Sequence, residues 1–173
     1  MDIIFDIDGT LLDITHRLHF IKKKPKDWAS FRDPKQKRWD EPIMPIINIA
    51  TALNRVDGNR LIFASGRSEE ERLDTVRSLS RWFLLEGWDK IFNPADFGEM
   101  YEDDPGKVPW HPLYMRAEKD RREDTVVKKE LYERMLEDGY KPELTFDDRP
   151  SVLRMWRTIP GLKVVDVGEG KEF

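Results

Sequence analysis

The fold of this chain is decided by the stretch IIFDIDGTLL, residues 3–12. It begins as an apolar run typical of a buried parallel strand and then carries two acids, Asp6 and Asp8, before a Gly-Thr turn. Residues i and i+2 of a strand point to the same side, so both acids are predicted to face one site at the strand's carboxyl end. Paired acids in an apolar segment need a compensating charge, and Mg²⁺, which prefers oxygen ligands, supplies it. Taken alone, the stretch also fits a strand that ends in a solvated acidic turn.

The composition limits the class of protein. A length of 173 residues fits one domain, or one domain with a small insert, and 39% apolar residues are enough for a core. The absence of cysteine excludes disulfides and cysteine-based zinc sites. No run of ~18 apolar residues occurs and Met1 leads directly into the first strand, so we expect no membrane span, no signal peptide and a cytoplasmic location. The net charge of −4 argues against nonspecific binding of duplex nucleic acid over the whole surface.

Residues 13–40 are predicted to form a small basic insert, mostly helical, that caps the site. From Arg17 to Arg38 the segment holds nine basic and two acidic residues, a local charge of +7. Aromatic side chains are interleaved with these charges: Phe20, Trp28, Phe31 and Trp39. Positive charge for the backbone and flat faces for the bases suit single-stranded nucleic acid. Equally, the aromatics are consistent with a core internal to the cap, with the lysines merely solvated.

A second polar turn follows the next predicted strand, residues 60–64. The strand ends in Ser65-Gly66-Arg67, and Ser68 then has the position of a helix N-cap. A hydroxyl, a flexible glycine and free N–H groups at a strand's carboxyl end suit a phosphate oxygen, although Ser-Gly alone is an ordinary turn. The helix that follows is predicted to turn Leu73 inward with Val76 and Leu79.

The second half of the chain supplies two further candidate segments. After a short strand at 91–92, a surface loop at 93–112 and a strand at 113–116, Asp124 is predicted to cap a helix. Lys128 lies one turn later and shares a face with Asp124, which also fits an ordinary surface ion pair. The strand 144–146 then ends in Asp147-Asp148, a second pair of acids at the same edge of the sheet.

The alternation of strands and helices, with polar residues at successive strand ends, predicts a doubly wound, Rossmann-like parallel α/β sheet. No internal repeat or linker interrupts the chain, so residues 1–173 are predicted to form a single domain. One edge of the sheet is expected to gather the candidate residues: Asp6, Asp8, Ser65, Lys128, Asp147 and Asp148.

These segments resemble the motifs of the haloacid dehalogenase (HAD) superfamily of phosphohydrolases. The first motif is matched by residues 6–10, the second by 65–67, the third by Lys128 and the fourth by 147–148, in the right order over nearly the whole chain. Within the superfamily, the chain is most similar to the 3′-phosphatase domain of bacteriophage polynucleotide kinase-phosphatase, through Arg17, nine residues after Asp8, and through the sequence Asp-Thr-Val-Val-Lys at 124–128. No Gly-x-x-x-x-Gly-Lys-Ser/Thr motif occurs, so kinase activity is not implied, and the insert departs from the family's pattern.

The resemblance implies hydrolysis of a phosphomonoester through an aspartyl-phosphate, with Asp6 as nucleophile and Asp8 as general acid and base. It implies Mg²⁺ held by Asp6, the Asp8 backbone carbonyl, and Asp147 with or without Asp148. Lys128 and Ser65 are expected on phosphoryl oxygens, and Asp124 is expected to orient Lys128. The other candidates for contact with the substrate or its phosphate are Thr10, Arg17, Gly66 and Arg67.

The implied substrate is a 3′-phosphorylated nucleic-acid end or nucleotide, which places the protein in nucleic-acid repair. One alternative is a phosphatase for mononucleotides or other small esters, in which the insert is only a lid. Another is a module that binds nucleic-acid ends without turnover, disfavoured because such a module needs no second acid for proton transfer. No protein partner follows from the sequence.

Overall fold

The molecule is built around a parallel sheet, seen in a computed structural model that describes residues 1–82, 91–92 and 111–170. The described strands are β1 (Asp2–Phe5), β2 (Leu12–Asp13), β3 (Glu41–Pro42), β4 (Arg60–Ser68), β5 (Ile91–Phe92), β6 (His111–Arg116), β7 (Pro142–Asp147) and β8 (Lys163–Asp166). The described helices are α1 (Thr15–Lys22), α2 (Trp28–Arg32), α3 (Pro34–Lys37), α4 (Met44–Asn54), the 3₁₀ turn Glu69–Glu71, α5 (Arg72–Trp82), α6 (Asp124–Glu137) and α7 (Pro150–Trp156).

Strand β1 lies at the centre of a six-stranded sheet with the order β5-β6-β4-β1-β7-β8. All neighbouring pairs in this sheet run parallel, which confirms the predicted doubly wound α/β fold. Successive side chains of β1 point to opposite faces: Ile3 and Phe5 pack in a core with α4 and α5, while Ile4 packs with α6 and α7. Because helices cover both faces, the interior of the strand, Ile3 to Phe5, is apolar, and the acid that follows it, Asp6, lies at its carboxyl end.

The predicted insert contains α1, α2 and α3, and it leaves and rejoins the core through a short antiparallel pair, β2 with β3. Its interior is a small cluster of Ile14, Leu18 and Ile21, against which Phe31 packs. Lys37, a buried residue of α3, forms an ion pair with Glu71 of the 3₁₀ turn after β4, which ties the insert to the rest of the molecule. We call α1–α3 with their connections, residues 14–40, the cap.

Three expectations about individual segments are wrong. Helix α6 has its N-cap at Glu123, so Asp124, the predicted cap, is the first residue of the helix. Strand β6 begins at His111, so the predicted surface loop 93–112 ends two residues too late, and residues 93–110 lie outside the described part of the chain. Leu73 is 62% exposed, whereas Val76 and Leu79 do pack against the core. The capping role of Ser68 is confirmed: its side chain accepts a hydrogen bond from the Glu70 amide. Within the described residues, no helix is long and apolar enough to cross a membrane.

Candidate active site

Asp6 lies at the carboxyl end of β1 and is held by two side chains. Its backbone amide still donates to the Phe146 carbonyl at 3.0 Å, so the strand pairing with β7 fixes its position. The Thr10 hydroxyl donates to Asp6 Oδ2 at 3.2 Å, and Lys128 Nζ donates to Asp6 Oδ1 at 2.7 Å. With its carboxylate held by these two donors and 4% exposed, Asp6 is fixed in place at the inner end of the site.

Lys128 bridges two acids of the sheet edge. Helix α6 carries its buried side chain to Asp6 and to Asp147, each at 2.7 Å from Nζ. Burial opposes the charge of Lys128, but Asp147 and Asp6 outweigh it and hold its pKa above the ordinary value. The prediction that Asp124 orients Lys128 is wrong. Asp6 and Asp147 orient Lys128, while Asp124 forms ion pairs with arginines.

Three acids meet at this edge: Asp6, Asp147 and Asp148 each offer an oxygen within 4.8 Å of the others. Burial, together with the neighbouring acids, raises the pKa of Asp6 well above its ordinary value in spite of Lys128. Burial raises the pKa of Asp148 to about 6, and Asp147 adds to that effect. Three carboxylates with one lysine leave negative charge uncompensated, and an all-oxygen donor set of this kind fits Mg²⁺.

Asp147 and Asp148 have different surroundings. Asp147 accepts hydrogen bonds from Lys128, from the indole N–H of Trp156 at 3.0 Å and from the Arg149 amide at 3.2 Å. Asp148 lines the cavity in front of the site, with Asp6. The contact from Trp156 had no signal in the sequence, where that tryptophan only marked the apolar face of a helix.

Gly9 makes room for the second acid pair. Its φ of +90° lies in the left-handed region, and a side-chain carbon at this position would collide with the Asp148 carboxylate. The Asp-Gly turn after β1 therefore serves the site twice, since it reverses the chain and lets Asp148 approach the backbone.

Asp8 belongs to a separate group, which we call the arginine clamp: Asp8, Arg17, Arg67 and Asp40. The Asp8 carboxylate accepts from Arg17 at 2.8 Å and from Arg67 Nε at 2.9 Å. Both arginines also donate to Asp40, at 2.7 Å from Arg17 Nε and at 2.8 Å from Arg67. Burial alone would raise the pKa of Asp8, but the guanidinium groups of Arg67 and Arg17 hold it well below the ordinary value.

Asp40 was missed as a site residue, although it is 3% exposed and lies between the two arginines. The only signal in the sequence was its place at the end of the basic insert. Since Arg17 belongs to the cap and Arg67 to β4, Asp40 and Asp8 together join the cap to the sheet at the site.

The third group of the site centres on Asp124. Its carboxylate forms close ion pairs with Arg116 and Arg149, and Arg116 also donates to the Gly66 carbonyl at 2.8 Å. A side-chain carbon on Gly66 would lie 3.0 Å from the Asp124 carboxylate, so a larger residue here would press on that acid. Arg116 was not predicted as a site residue. It lies at the end of β6, and the same position at a strand end identified Asp6 and Asp147 in the sequence.

Ser65 is fully buried, and its hydroxyl accepts a hydrogen bond from the Arg67 amide at 3.1 Å. This contact lies within β4, where the pairing with β6 shifts register between Ser65 and Ser68. The role of Ser65 on a phosphoryl oxygen stays a prediction.

A cavity of about 830 Å³ opens in front of these groups. Its inner end holds Asp6, Asp8, Lys128 and Asp148, and one wall is formed by the cap. The cap residues on that wall are Ile14, Arg17, Ile21, Lys26, Trp28, Phe31 and Arg32. Neither Trp39 nor the exposed lysines at 22–24 line this cavity.

A family model for the phosphatase domain of polynucleotide kinase (PNKP), of HAD type, matches residues 1–172. Two solved structures of the Pnkp1/Rnl/Hen1 complex, one described as an RNA repair complex, each contain a chain 24% identical to this one, with a TM-score of 0.62. These matches cover 99% of this chain but 47% and 43% of theirs, so the chain spans less than half the length of those proteins.

A candidate phosphatase from Clostridium difficile is similar in fold, with 15% identity, a TM-score of 0.58, and coverage of 98% of this chain and 86% of that one. At these identities the three structures show the fold alone. Because the family model spans nearly the whole chain, the protein belongs to the family of polynucleotide kinase (PNKP) phosphatase domains and is a HAD-type phosphatase.

Proposed function

We propose that this phosphatase removes the 3′-phosphate from nucleic-acid ends or nucleotides, in a Mg²⁺-dependent reaction through an aspartyl-phosphate on Asp6. The observation that carries the substrate proposal is the cap wall, where Lys26, Trp28 and Arg32 share one cavity with Asp6. Cations beside an aromatic face suit a nucleotide better than a small ester. Family membership and the similarity to a chain from an RNA repair complex support the same setting, nucleic-acid repair.

In the first step, the Asp6 carboxylate attacks phosphorus, and the bond from phosphorus to the ester oxygen breaks. The leaving oxygen takes a proton from the Asp8 carboxyl group. Thr10 and Lys128 hold the attacking carboxylate in one orientation, and this removes rotational freedom before the reaction. The product of this step is an acyl phosphate on Asp6.

In the second step, Asp8 takes a proton from a water molecule that attacks the phosphorus of the acyl phosphate. The bond to Asp6 breaks, inorganic phosphate leaves, and both carboxyl groups return to their starting states. The arginine clamp keeps Asp8 in the ionised form that this base step needs, and by lowering its pKa also makes it a weaker base. For the acid step, the phosphate oxygens of the substrate must also bind the guanidinium groups of Arg17 and Arg67. The attraction of these groups for the Asp8 carboxylate is then weaker, so the pKa of Asp8 rises and Asp8 can carry a proton.

Mg²⁺ would be held by Asp6 and Asp148, with the backbone carbonyl of Asp8. Asp147 would act indirectly, by holding Lys128 against Asp6. When bound, it neutralises the charge that builds on the phosphoryl oxygens. Asp148 is the better candidate for direct contact because Asp147 already accepts from three donors.

A panel of four substrates tests the proposal: a 3′-phosphorylated oligonucleotide, the same oligonucleotide with a 5′-phosphate, a mononucleotide and an aryl phosphate. We expect the highest kcat/KM for the 3′-phosphorylated ends or nucleotides, only in the presence of Mg²⁺. Equal kcat/KM for the 3′- and 5′-phosphates would overturn the 3′ preference, and a higher value for the aryl phosphate would favour the small-ester alternative.

Salt dependence tests whether the cap lysines act on the substrate. Neutralising Lys22, Lys23 and Lys24 together should weaken oligonucleotide turnover and its dependence on salt, since these exposed lysines lie outside the cavity and reach only a chain that leaves it. The aryl phosphate, which ends within the cavity, should be unaffected. A similar loss on both substrates would make the cap a structural lid only.

A further inference from the structure

Trp28 is positioned on the cap wall so that a flat ligand can reach it from the cavity. Its side chain is 44% exposed and packs edge-on against Phe31, with ring centroids 5.9 Å apart. Both rings line the same cavity as Asp6. This contact with Phe31 helps to hold the indole in place on the cavity wall.

The face of Trp28 is at present used by two cations. Lys26 Nζ lies 5.2 Å, and Arg32 Cζ 5.4 Å, from the centre of the indole. An exposed contact of this kind changes an equilibrium only about 2- to 5-fold, whereas a stacked base contributes roughly 5- to 150-fold. Lys26 is exposed and flexible, so a nucleobase can displace it from the ring and keep its charge close by.

The charges at the outer part of the cavity differ from those at its inner end. Arg67 and Arg17, deep in the site, are matched by Asp8 and Asp40. Lys26 and Arg121 are exposed and line the cavity, and neither forms an ion pair with an acid among the described residues. These outer cations are available for a phosphodiester that leaves the cavity.

We infer that Trp28 is the stacking platform for the terminal nucleobase, and that Lys26 and Arg121 receive the next phosphate of a polynucleotide. This inference rests on the proposed function only in taking the substrate to be a nucleotide or nucleic-acid end. It makes the outer cavity a nucleotide subsite and Trp28 a specificity-determining residue.

Trp39 provides a matched control. It also belongs to the cap, is 62% exposed and has an arginine, Arg38, 5.1 Å from its ring centre, but it does not line the cavity. We compare Trp28→Ala, Trp28→Phe and Trp39→Ala on a 3′-phosphorylated oligonucleotide and on the same oligonucleotide with an abasic terminal sugar.

For the wild-type protein, KM should be lower with the terminal base than without it, by roughly 5- to 150-fold. Trp28→Ala should erase this advantage through KM rather than kcat, because stacking is made equally in the ground and transition states. Trp28→Phe should retain part of the advantage, and Trp39→Ala all of it. A Trp28→Ala variant that keeps the advantage, or a Trp39→Ala variant that loses it equally, overturns the inference.

Binding gives a readout independent of turnover. In an Asp6→Asn background, the 3′-phosphorylated oligonucleotide should quench tryptophan fluorescence, and Trp28→Phe should remove most of the quench while Trp39→Phe keeps it. If 3′- and 5′-phosphates react alike but the base advantage still depends on Trp28, the proposed 3′ preference fails and the subsite stands. If the 3′ preference holds and the quench persists in Trp28→Phe, the subsite alone fails.

Discussion

The two halves of the active site differ in how their charges are balanced. In the carboxylate cluster of Asp6, Asp147 and Asp148, Lys128 contacts Asp6 and Asp147, and burial raises the pKa values of Asp6 and Asp148. The arginine clamp holds two acids with two arginines, and Asp8 within it has a lowered pKa. The first half offers an all-oxygen donor set that fits a cation, while the second pairs each of its acids with both arginines and links the cap to the sheet.

The largest effect is expected in the carboxylate cluster. Asp6→Asn keeps the shape of the side chain and removes its attacking charge, so turnover should fall by at least about 1000-fold, the scale seen when a nucleophile is lost. The measurement is kcat on a 3′-phosphorylated substrate, with mass spectrometry showing that the amide is intact. Substantial residual activity in the intact variant would exclude the aspartyl-phosphate route.

Removal of metal should act through the same half of the site. Excess chelator should abolish activity, and Mg²⁺ should restore it, because the three acids need a compensating cation. Ca²⁺ should restore it poorly, since it takes more ligands in a looser geometry. Activity that persists in excess chelator would contradict the assignment of Asp147 and Asp148 to a metal site.

Asp8→Asn tests the chemical part of the arginine clamp. We expect a loss of about 100- to 10,000-fold on a nucleotide 3′-phosphate, the usual range for general acid catalysis. An activated aryl phosphate should lose less, because its leaving group needs little protonation. Equal losses on the two substrates would remove Asp8 from the acid role.

Asp40→Ala tests the structural part of the clamp. Arg17 and Arg67 would each lose a buried carboxylate, and breaking buried pairs of this kind costs about 3–5 kcal/mol of unfolding free energy. Urea denaturation measures the change, with Ala at the exposed position Asp57 as control. A variant as stable as the control would show that Asp8 alone suffices to hold both arginines.

The smallest effect is a pH dependence of stability in the metal-free protein. The folded pKa of Asp148, about 6, lies above its ordinary value of 3.8, so the folded state binds the extra proton. Its contribution to stability is present at low pH and is lost as pH rises through about 6. Relative to Asp148→Asn, the wild type should therefore lose unfolding free energy between about pH 4 and pH 6, measured by urea denaturation. A constant difference across that range would contradict the raised pKa.

Most of the fold and half of the site followed from local patterns. The apolar runs of the sequence predicted the buried strands. The acids that follow these runs were predicted to lie together, because the carboxyl ends of parallel strands meet at one edge of the sheet. The arginine clamp was only partly predictable: Arg17 and Arg67 were identified as candidate phosphate contacts, but their shared partner Asp40 was not. The contact of Asp124 was assigned to the wrong cation, because helix spacing shows which residues share a face and not which partner approaches it from another strand.

By itself, the sequence determined the α/β class, the sheet edge that carries the chemistry and the residues at each strand end, because side-chain periodicity and turns are set by neighbours along the chain. The tertiary structure alone decided the pairings across the site. Lys128 meets Asp6 from 122 residues away, and Arg67 meets Asp40 from 27 residues away. It also selected Trp28 rather than Trp39 for the cavity wall. Such choices depend on how the helices and the cap pack against the sheet, and that packing is settled by burial and charge balance over the whole domain.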